Sequence, residues 1–375
     1  MRRFTILSAA LVVMAVGVAT AQAAVVASPV KGKPDIKSID VIEFADDGTL
    51  LIGDGKGGQV VAVVLGDQGK LTSPPAKVAN VNALLAARMG AKPDGIELVD
   101  LAVHPKSGKV FLAVRKQDDK ASAILTVDAA GKISEFALDD VSHASIILGG
   151  GKRAPIAKIT DVAWVDDKLI AAAATSEEFA SKIFVAKGPL VHNATGSLHA
   201  AETYHVSHHK WETKAPMSVI MPYRENGQTY VVGAFSCTPV VKYPIDSIQP
   251  DAQVKGTSMI ELGSGNRPVD MFTYTKNGKE YVLTSTFRFH HQRKPLGPSP
   301  YWTVRFERSL LGETEKVDEK AVYRLTSTGE PATDRITFVD AYNGVMQMDR
   351  LGEDRAVVLR SRDGGAIDLE VLQLP

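Results

Sequence analysis

Five residues near the middle of the chain combine the side-chain types that bind transition metals: His205, His208, His209, Glu212 and Cys237, the only cysteine. Imidazoles with a thiolate suit copper or zinc. On a helix the histidines and the glutamate share one face, and on a strand the first and third histidines do, so either structure brings two imidazoles together. The spacing matches no strict zinc motif. Histidines that only order an irregular loop are the alternative.

Two apolar runs predict the elements that position this cluster. Residues 217–221 and 230–235 flank a turn containing Asn226-Gly227, a dipeptide typical of β-hairpins. Because an antiparallel pair returns to the edge where it began, the loop before the hairpin and the loop with Cys237 should meet there. His290 is expected on the same face and is a further candidate ligand. For the cysteine, the alternative is a small buried apolar role.

This hairpin belongs to one of six similar units. Each unit has an apolar strand, a turn of the NG, DG, SG or DD type, a second strand and then one or two more. The first strands carry a polar position that recurs about every 60 residues, a period typical of repeat architectures. That position is occupied by Asp40, Asp100, Asp161, Ser218, Asp270 and Gln347. The pattern predicts an all-β, six-bladed β-propeller, or seven blades if the longest interval contains an irregular one. A pair of β-sandwiches is the alternative.

Closure of the ring requires complementary strands from both ends of the chain. Residues 366–374 form the third strand of the last unit, and residues 25–31 are expected to complete that blade. Outside the N-terminal segment one helix is predicted, at residues 81–89.

The loops of a propeller alternate between two faces because successive strands alternate in direction. The short charged hairpin turns fall on one face, whereas the long loops with His, Cys and Trp fall on the other. Function usually lies on loops held by a rigid frame, so the second face is predicted to be functional. Its candidate ligand-binding residues, which suit a carboxylate, a phosphate or an aromatic wall, are Arg153, Asn266, Arg267 and Trp211. Inter-blade salt bridges and ordinary packing are the alternatives.

The N-terminus has the features of a secretory signal peptide. Arg2-Arg3 precedes an apolar run at residues 4–18, and Ala21-Gln22-Ala23 forms a cleavage pattern. Cleavage there leaves residues 24–375, interpreted as a single propeller domain in a bacterial periplasm or outside the cell. The apolar run is too short for a membrane span.

Composition and motifs exclude several classes of function. The chain has 43 basic and 43 acidic residues and no basic run, which argues against nucleic acids and anionic membranes as partners. A single cysteine forms no internal disulfide. The sequence contains no C-x-x-C-H motif for covalent haem, no G-x-S-x-G elbow and no phosphate-binding P-loop. A small polar ligand or a periplasmic protein remains the expected partner.

The recurring aspartates allow a third kind of site. Carboxylates that converge on the central channel could hold a hard cation such as calcium. The alternative is a structural role in every blade, in which each aspartate accepts backbone N–H groups at the start of its strand.

The repeated strand–turn pattern resembles lactonase-type, NHL-type and amine-dehydrogenase-like propellers. Several segments, including YHVSHHKWETKAP, FSCTPVVKYPIDSIQP and the ending AIDLEVLQLP, resemble a group of exported bacterial propellers of unassigned function. This resemblance covers roughly residues 160–375 and implies the fold and export, but no reaction. The segment FRFHHQRKPLGPSPYW looks like an insertion relative to that group. The lactonase-type enzymes carry a channel glutamate at the start of the first blade, whereas Glu43 lies three residues deeper here.

Three hypotheses of function follow. In the first, the long-loop face binds a transition metal, foremost copper, or a small polar ligand, and has a redox role if Cys237 or His290 joins the site. In the second, the same rim docks a partner protein without catalysis. In the third, the channel carboxylates serve a calcium-dependent, lactonase-like hydrolase.

Overall fold

The computed structural model describes residues 24–149, 156–196, 198–249, 254–263, 265–291, 293, 297–312, 322–323 and 335–375. The predicted signal peptide and Arg153 lie outside these residues. Within them, no helix has the length and apolar character needed to cross a membrane.

Short antiparallel strands dominate the described chain. In chain order the strands and the α-helix are β1 (Val30–Gly32), β2 (Val41–Phe44), β3 (Leu50–Asp54), β4 (Gln59–Val64), α1 (Val81–Arg88), β5 (Ile96–Val103), β6 (Val110–Lys116), β7 (Ser122–Val127), β8 (Ile133–Glu135), β9 (Val141–Leu148), β10 (Ile156–Val165), β11 (Lys168–Thr175), β12 (Ser181–Lys187), β13 (Thr195–Gly196), β14 (Leu198–Glu202), β15 (Tyr204–His205), β16 (Lys210–Trp211), β17 (Met217–Glu225), β18 (Gln228–Phe235), β19 (Pro239–Pro244), β20 (Val254–Lys255), β21 (Thr257–Glu261), β22 (Asn266–Lys276), β23 (Lys279–Arg288), β24 (Tyr301–Glu307), β25 (Val322–Tyr323), β26 (Ile336–Phe338), β27 (Val345–Leu351), β28 (Arg355–Ser361) and β29 (Ile367–Gln373). Short 3-10 helices occupy Val206–His208, Ile245–Ser247, Arg308–Gly312, Asp340–Tyr342 and Asp363–Gly365.

These strands form six blades around a central channel, which confirms the predicted six-bladed propeller. From the channel outwards, the blades are β2-β3-β4-β9 (blade 1), β5-β6-β7-β8 (blade 2), β10-β11-β12-β14 (blade 3), β17-β18-β19-β21 (blade 4), β22-β23-β24-β26 (blade 5) and β27-β28-β29 (blade 6). Short strands extend some outer edges: β1 pairs with β9, β20 with β14 and β25 with β21.

The order of the blades around the ring differs from their order in the sequence. Inner strand β2 contacts both β5 and β10, and β5 contacts β27. The ring therefore runs blade 2, 1, 3, 4, 5, 6 and back to blade 2. Strands β2 to β4 form the first three strands of blade 1, and the next four strands, β5 to β8, form blade 2. Strand β9 then pairs with β4 as the fourth strand of blade 1, and the chain continues into blade 3.

The prediction that residues 25–31 complete the last blade is wrong. Val30 pairs with His143 of β9, and Val26 bridges to Leu190, so this segment belongs to blade 1. Blade 6 is extended instead by Val78, whose N–H and C=O both bond to the backbone of Leu369 at 2.9 Å. The reason lies in the ring order: blade 2 adjoins blade 6, so the chain on its way into blade 2 passes the open edge of blade 6.

The predicted helix is observed as α1, which packs against this closure. Leu85 is fully buried in a cluster that includes Leu369. Lys77, just before the bridging residue, forms ion pairs with Asp368 at 3.0 Å and Glu370 at 2.8 Å.

Alternate residues of each strand pack against opposite neighbouring blades, as the period-2 geometry requires. In blade 4, Val240 joins the apolar cluster shared with blade 5, whereas Val241 joins the one shared with blade 3. In blade 5, Val282 faces blade 4 and Leu283 faces blade 6. This alternation decides on which side of a blade each polar side chain lies.

Candidate metal centre

The connection between blades 3 and 4 folds into a small ribbon that lies against blade 4. Strands β15 and β16 pair through Tyr204 with Trp211 and His205 with Lys210. Ser258 of β21 fastens the ribbon, because its hydroxyl donates to the carbonyl of Tyr204 at 2.6 Å. A buried hydrogen bond of 3.0 Å also joins the hydroxyls of Thr203 and Ser258.

His205 is held inside this interface and is only 2% exposed. Its Nε2 lies 3.3 Å from Oε2 of Glu261, a fully buried residue at the end of β21. The hydroxyl of Thr238 donates to the same carboxylate oxygen at 2.8 Å. The other ring nitrogen, Nδ1, is buried, lies 3.7 Å from Oε2 of Glu212 and has no hydrogen-bond partner among the residues that the structure describes. One nitrogen is thus fixed by a carboxylate while the other points at a second carboxylate.

Glu212 is positioned by its own backbone turn. Its Oε1 accepts hydrogen bonds from the backbone N–H groups of Lys214 and Ala215, both at 2.8 Å. Burial opposes ionisation of this carboxyl, but the two N–H bonds, together with contacts to Cys237 and His205, lower its pKa. Glu212 is therefore a carboxylate whose Oε2 is directed towards His205.

Cys237 lies in the turn between β18 and β19 of blade 4, next to Thr238, whose φ is 100°. Its Sγ, one ring nitrogen of His205 and one carboxylate oxygen of Glu212 all lie within 4.8 Å of one another. Burial, with the nearby carboxylates of Glu212 and Glu261, raises the pKa of the thiol. Cys237 also borders the apolar cluster between blades 3 and 4, so its packing role and its place in the cluster coexist.

The centre carries an excess of acidic groups. Two carboxylates, those of Glu212 and Glu261, lie against the imidazole. In the part of the chain that the structure describes, their ion-pair partner within 4.0 Å is His205. Oε1 of Glu261 is buried and has no hydrogen-bond partner among the described residues. Burial disfavours the imidazolium, but Glu261 and Glu212 outweigh it and raise the pKa of His205. Unpaired buried carboxylates and a lone imidazole make the site attractive to a cation.

The other predicted metal ligands lie outside this group of three. The exposed His208 stacks on His205 with ring centroids 4.2 Å apart. His209 is exposed at a φ of 51° and ends the 3-10 turn. His290 lies in the loop of blade 5 against Phe289, with ring centroids 4.0 Å apart, and is exposed.

The three predicted ligand-binding residues that the structure describes do not converge on one pocket. Trp211 packs edge-on against Tyr204, and Lys255 Nζ lies 5.1 Å from its ring centroid. Asn266 is 2% exposed and donates from Nδ2 to the carbonyl of Leu262 at 2.8 Å. Arg267, the next residue, lines the channel and lies over the ring of Phe289. As neighbours in one strand, Asn266 and Arg267 point to opposite faces of blade 5.

Sequence reasoning missed Glu261 and Thr238, which hold His205 in place. A signal for Glu261 exists, because it is the one acidic residue in the otherwise apolar stretch 259–262. Charged residues are rarely fully buried unless they are paired, so an acid in a buried strand predicts a partner. The position of that partner depends on the ribbon, which has no recognisable pattern in the sequence.

The channel aspartates accept backbone N–H groups, which is the structural role named above as the alternative to calcium binding. Each carboxylate of Asp100, Asp161 and Asp270 accepts one N–H from its own strand and one from the inner strand of an adjacent blade, at 2.7–2.9 Å. Asp349 does the same, at 2.6 Å for both bonds. These hydrogen bonds join blade 2 to blade 1, blade 3 to blade 4, blade 5 to blade 6, and blade 6 to blade 2. Ser218 does not occupy the equivalent place, because it is the extra residue of a β-bulge and Val219 takes the paired position.

The cavity enclosed by the inner strands has a volume of about 710 Å³. Burial raises the pKa of Asp100 to about 7, of Asp161 to about 8 and of Asp349 to about 6. Burial and the neighbouring aspartates also raise the pKa of Asp270. Asp100, Asp161 and Asp349 therefore change protonation near neutral pH.

Comparison with known protein families and with curated proteins finds no match. Solved structures that resemble the chain include the GH43 endo-arabinanase from Bacillus licheniformis, with a TM-score of 0.39 and 11% identity over 75% of this chain and 95% of that one. A streptogramin B lyase has a TM-score of 0.32 and 11% identity over 92% and 86% of the two chains. The Malassezia sympodialis allergen Mala s 1 has a TM-score of 0.37 and 10% identity over 92% and 96%. TM-scores and sequence identities this low support no inference about the activity of this chain.

Proposed function

We propose that the protein binds a divalent transition-metal ion through Nδ1 of His205, Oε2 of Glu212 and Sγ of Cys237. One observation carries the proposal: a nitrogen of His205, an oxygen of Glu212 and the sulfur of Cys237 lie within 4.8 Å of one another, and Nδ1 of His205 is buried without a hydrogen-bond partner among the described residues. Residues from the ribbon and from blade 4 would thereby be joined.

The charges of the ligands favour a divalent ion. A neutral imidazole, a carboxylate and a thiolate together carry two negative charges, which a divalent cation neutralises. Neutrality matters because an uncompensated charge is costly in a buried site. Imidazole, carboxylate and thiolate are the three side-chain ligand types of zinc, so zinc fits this donor set best.

In the proposed site, Glu261 is not a ligand but contacts the second ring nitrogen of His205. Metal-binding histidines commonly donate their second N–H to a carboxylate, which fixes the tautomer and the ring orientation. Nε2 of His205 and Oε2 of Glu261 stand in that relationship at 3.3 Å. Three protein ligands leave a coordination position that a bound ion would offer to water or to a small polar ligand.

Copper with a redox role is the second candidate, and the ring of His208 favours it. That exposed imidazole already stacks on His205 at a centroid distance of 4.2 Å. A rotation of His208 into the site would give two imidazoles and one thiolate, the donor set of copper electron-transfer sites.

Metal analysis of the purified protein tests the proposal. We expect one zinc per chain by mass spectrometry of the elements, and loss of that zinc in Cys237→Ser and Glu212→Gln. Cobalt(II) should give a sulfur-to-cobalt charge-transfer absorption that is absent in Cys237→Ser. Copper in place of zinc, lost in His208→Gln, would support the second candidate.

The matched control is His209→Asn, because His209 is exposed and asparagine tolerates its positive φ. This variant should keep the metal. Folded, metal-free wild-type protein that binds neither zinc nor copper would overturn the proposal.

We also propose export, on the basis of Arg2-Arg3, the apolar run and Ala21-Gln22-Ala23. Protein isolated from an exporting host should begin at Ala24. Retention of the full N-terminus on intracellular protein would contradict export.

A further inference from the structure

Arg288 is a partly buried cation that has no counter-ion among the described residues. It ends β23, and its guanidinium stacks on the ring of Trp302 with the central carbon 4.3 Å from the ring centroid. Its Nη1 is buried and has no hydrogen-bond partner in the described part of the chain. Burial alone lowers the pKa of the guanidinium. An unpaired buried guanidinium raises the free energy of the folded protein, so binding of an anion beside it would be stabilising.

Two residues that pair with the backbone of Arg288 each carry a buried polar atom without a hydrogen-bond partner among the described residues. Asn266 is the cross-strand partner of Arg288, so the two side chains project from the same face of blade 5 with their Cβ atoms about 5 Å apart. Nδ2 of Asn266 is fixed by the carbonyl of Leu262, which can only accept, and this leaves Oδ1 as the free acceptor. The backbone N–H of His291 donates to the carbonyl of Arg288 at 3.0 Å, and Nδ1 of its ring has no hydrogen-bond partner in the described part of the chain.

The sequence segments around Arg288 and around Asn266 contain no acidic residue. Residues 284–306 include neither aspartate nor glutamate, and residues 262–269 also lack both. Among the described residues, no carboxylate lies within ion-pair distance of Arg288. The missing anion is therefore not supplied by these segments.

We propose that Arg288, Asn266 and His291 form a subsite for a protonated oxyanion, of which hydrogenphosphate is the simplest example. Nη1 of Arg288 donates to an anionic oxygen, a contact that guanidinium groups make readily with phosphate. Oδ1 of Asn266 accepts the proton of the P–OH group. Nδ1 of His291 takes either role according to its tautomer.

The free acceptor gives the subsite a testable specificity. Sulfate has the shape and charge of hydrogenphosphate but carries no proton at neutral pH. It would place an oxygen without hydrogen against Oδ1 of Asn266, and an unpaired buried acceptor costs binding energy. The subsite should therefore discriminate against sulfate although both ions are tetrahedral dianions.

This subsite is separate from the proposed metal centre. Arg288 has the same parity in β23 as Val282 and therefore faces the crevice between blades 5 and 4. Glu261 and His205 lie with the ribbon that connects blades 3 and 4. Failure of one proposal leaves the other unaffected.

Calorimetric titration of the full chain with inorganic phosphate, sulfate and methyl phosphate tests the inference at constant ionic strength. We expect saturable binding of one phosphate, at least about tenfold weaker binding of sulfate, and at least about tenfold weaker phosphate binding in Arg288→Gln. Methyl phosphate should bind with inorganic phosphate's affinity only at the acidic pH where its monoanion keeps a proton. The control Arg305→Gln removes another stacked guanidinium, which lies over Tyr281, and should bind phosphate like the wild type.

Thermal unfolding without phosphate gives a second readout. Arg288→Gln removes an unpaired charge but also the stacking contact with Trp302, so it should stay folded and unfold at a temperature close to that of the wild type. Equal binding of sulfate and phosphate would overturn the role assigned to Asn266. Phosphate binding that is absent, or unchanged in folded Arg288→Gln, would overturn the subsite.

Discussion

Nε2 of His205 lies 3.3 Å from Oε2 of Glu261, and neither residue is more than 2% exposed. A contact between an imidazole and a carboxylate at this depth fixes which ring nitrogen is free. The free nitrogen, Nδ1, is the one that lies 3.7 Å from Oε2 of Glu212. Glu261 therefore determines the donor properties of the centre without being one of the three ligands.

Replacement of Glu261 by glutamine should weaken zinc binding by about 10- to 100-fold, the usual cost of losing an outer-shell carboxylate. The amide has nearly the same shape but no charge, so it holds the ring less firmly and makes Nδ1 a poorer donor. Competition with a chromophoric chelator measures the affinity. Thr238→Ser keeps the hydroxyl that donates to Glu261 and should bind zinc like the wild type. Unchanged affinity in Glu261→Gln would show that the ring is oriented by packing alone.

Zinc binding should release protons in a number that depends on pH. Because the pKa of the Cys237 thiol is raised, the thiol is protonated at neutral pH and gives up one proton on binding. Below the raised pKa of His205, the imidazolium gives up a second proton. Calorimetry in buffers of different ionisation enthalpy should count about two protons at low pH and about one at high pH. A constant count across this range would contradict the assignment of His205.

The same histidine gives the metal-free protein a stability that depends on pH. Its folded-state pKa lies above the unfolded value of about 6.5. The stabilisation is therefore fully present below pH about 6.5 and is lost as the pH rises through the folded-state pKa. Unfolding in urea should show this loss in metal-free wild-type protein and a flatter profile in His205→Gln.

Much of the fold can be predicted from local patterns in the sequence. Asn226-Gly227 between two apolar runs specifies a hairpin because its turn chemistry and its alternation agree. Six such hairpins indicate six blades. Which blades are neighbours depends instead on contacts such as Val78 with Leu369, between residues that lie far apart in the chain. No local pattern encodes those pairings, so the ring order and the closure required the structure.

The sequence predicts which residue types form the candidate site, but it predicts only part of their spatial arrangement. His205, Glu212 and Cys237 were among the predicted ligands, because loops at the two ends of a hairpin share an edge. His208 and His209 differ from His205 only in where the 3-10 turn places them, and the sequence carries no signal for that turn. His290 belongs to the loop of the next blade and lies against Phe289.

Asp161→Asn should change the pH dependence of stability. Burial raises the folded-state pKa of Asp161 to about 8, whereas the unfolded value is about 3.9. The folded protein thus binds more protons between these values, and stability falls as the pH rises from about 4 to about 8. Asparagine removes this proton uptake, so the free energy of unfolding of the variant should depend less on pH. Urea unfolding at pH 5 and pH 8 measures the difference.

The same substitution also has a cost in hydrogen bonding. The carboxylate of Asp161 accepts N–H groups from Ile220 at 2.7 Å and Val162 at 2.8 Å, whereas the amide accepts only with its oxygen. One N–H loses its partner, which costs about 1–3 kcal/mol. The variant should therefore be clearly less stable at pH 5 and closer to the wild type at pH 8. The exposed control Asp94→Asn should follow the wild type at both values.

Val78→Pro should destabilise the protein by opening the ring at blade 6. Val78 donates to the carbonyl of Leu369 and accepts from its N–H, both at 2.9 Å. Proline removes the donor and leaves a buried carbonyl of β29 without a partner, which costs about 1–3 kcal/mol. Thermal and urea unfolding should both show the loss. The neighbouring Ala79→Pro is the matched control, because alternate residues of an antiparallel strand direct their N–H groups away from the partner. Equal stability of the two variants would mean that the bridge contributes nothing and that α1 alone, through Leu85, closes the ring.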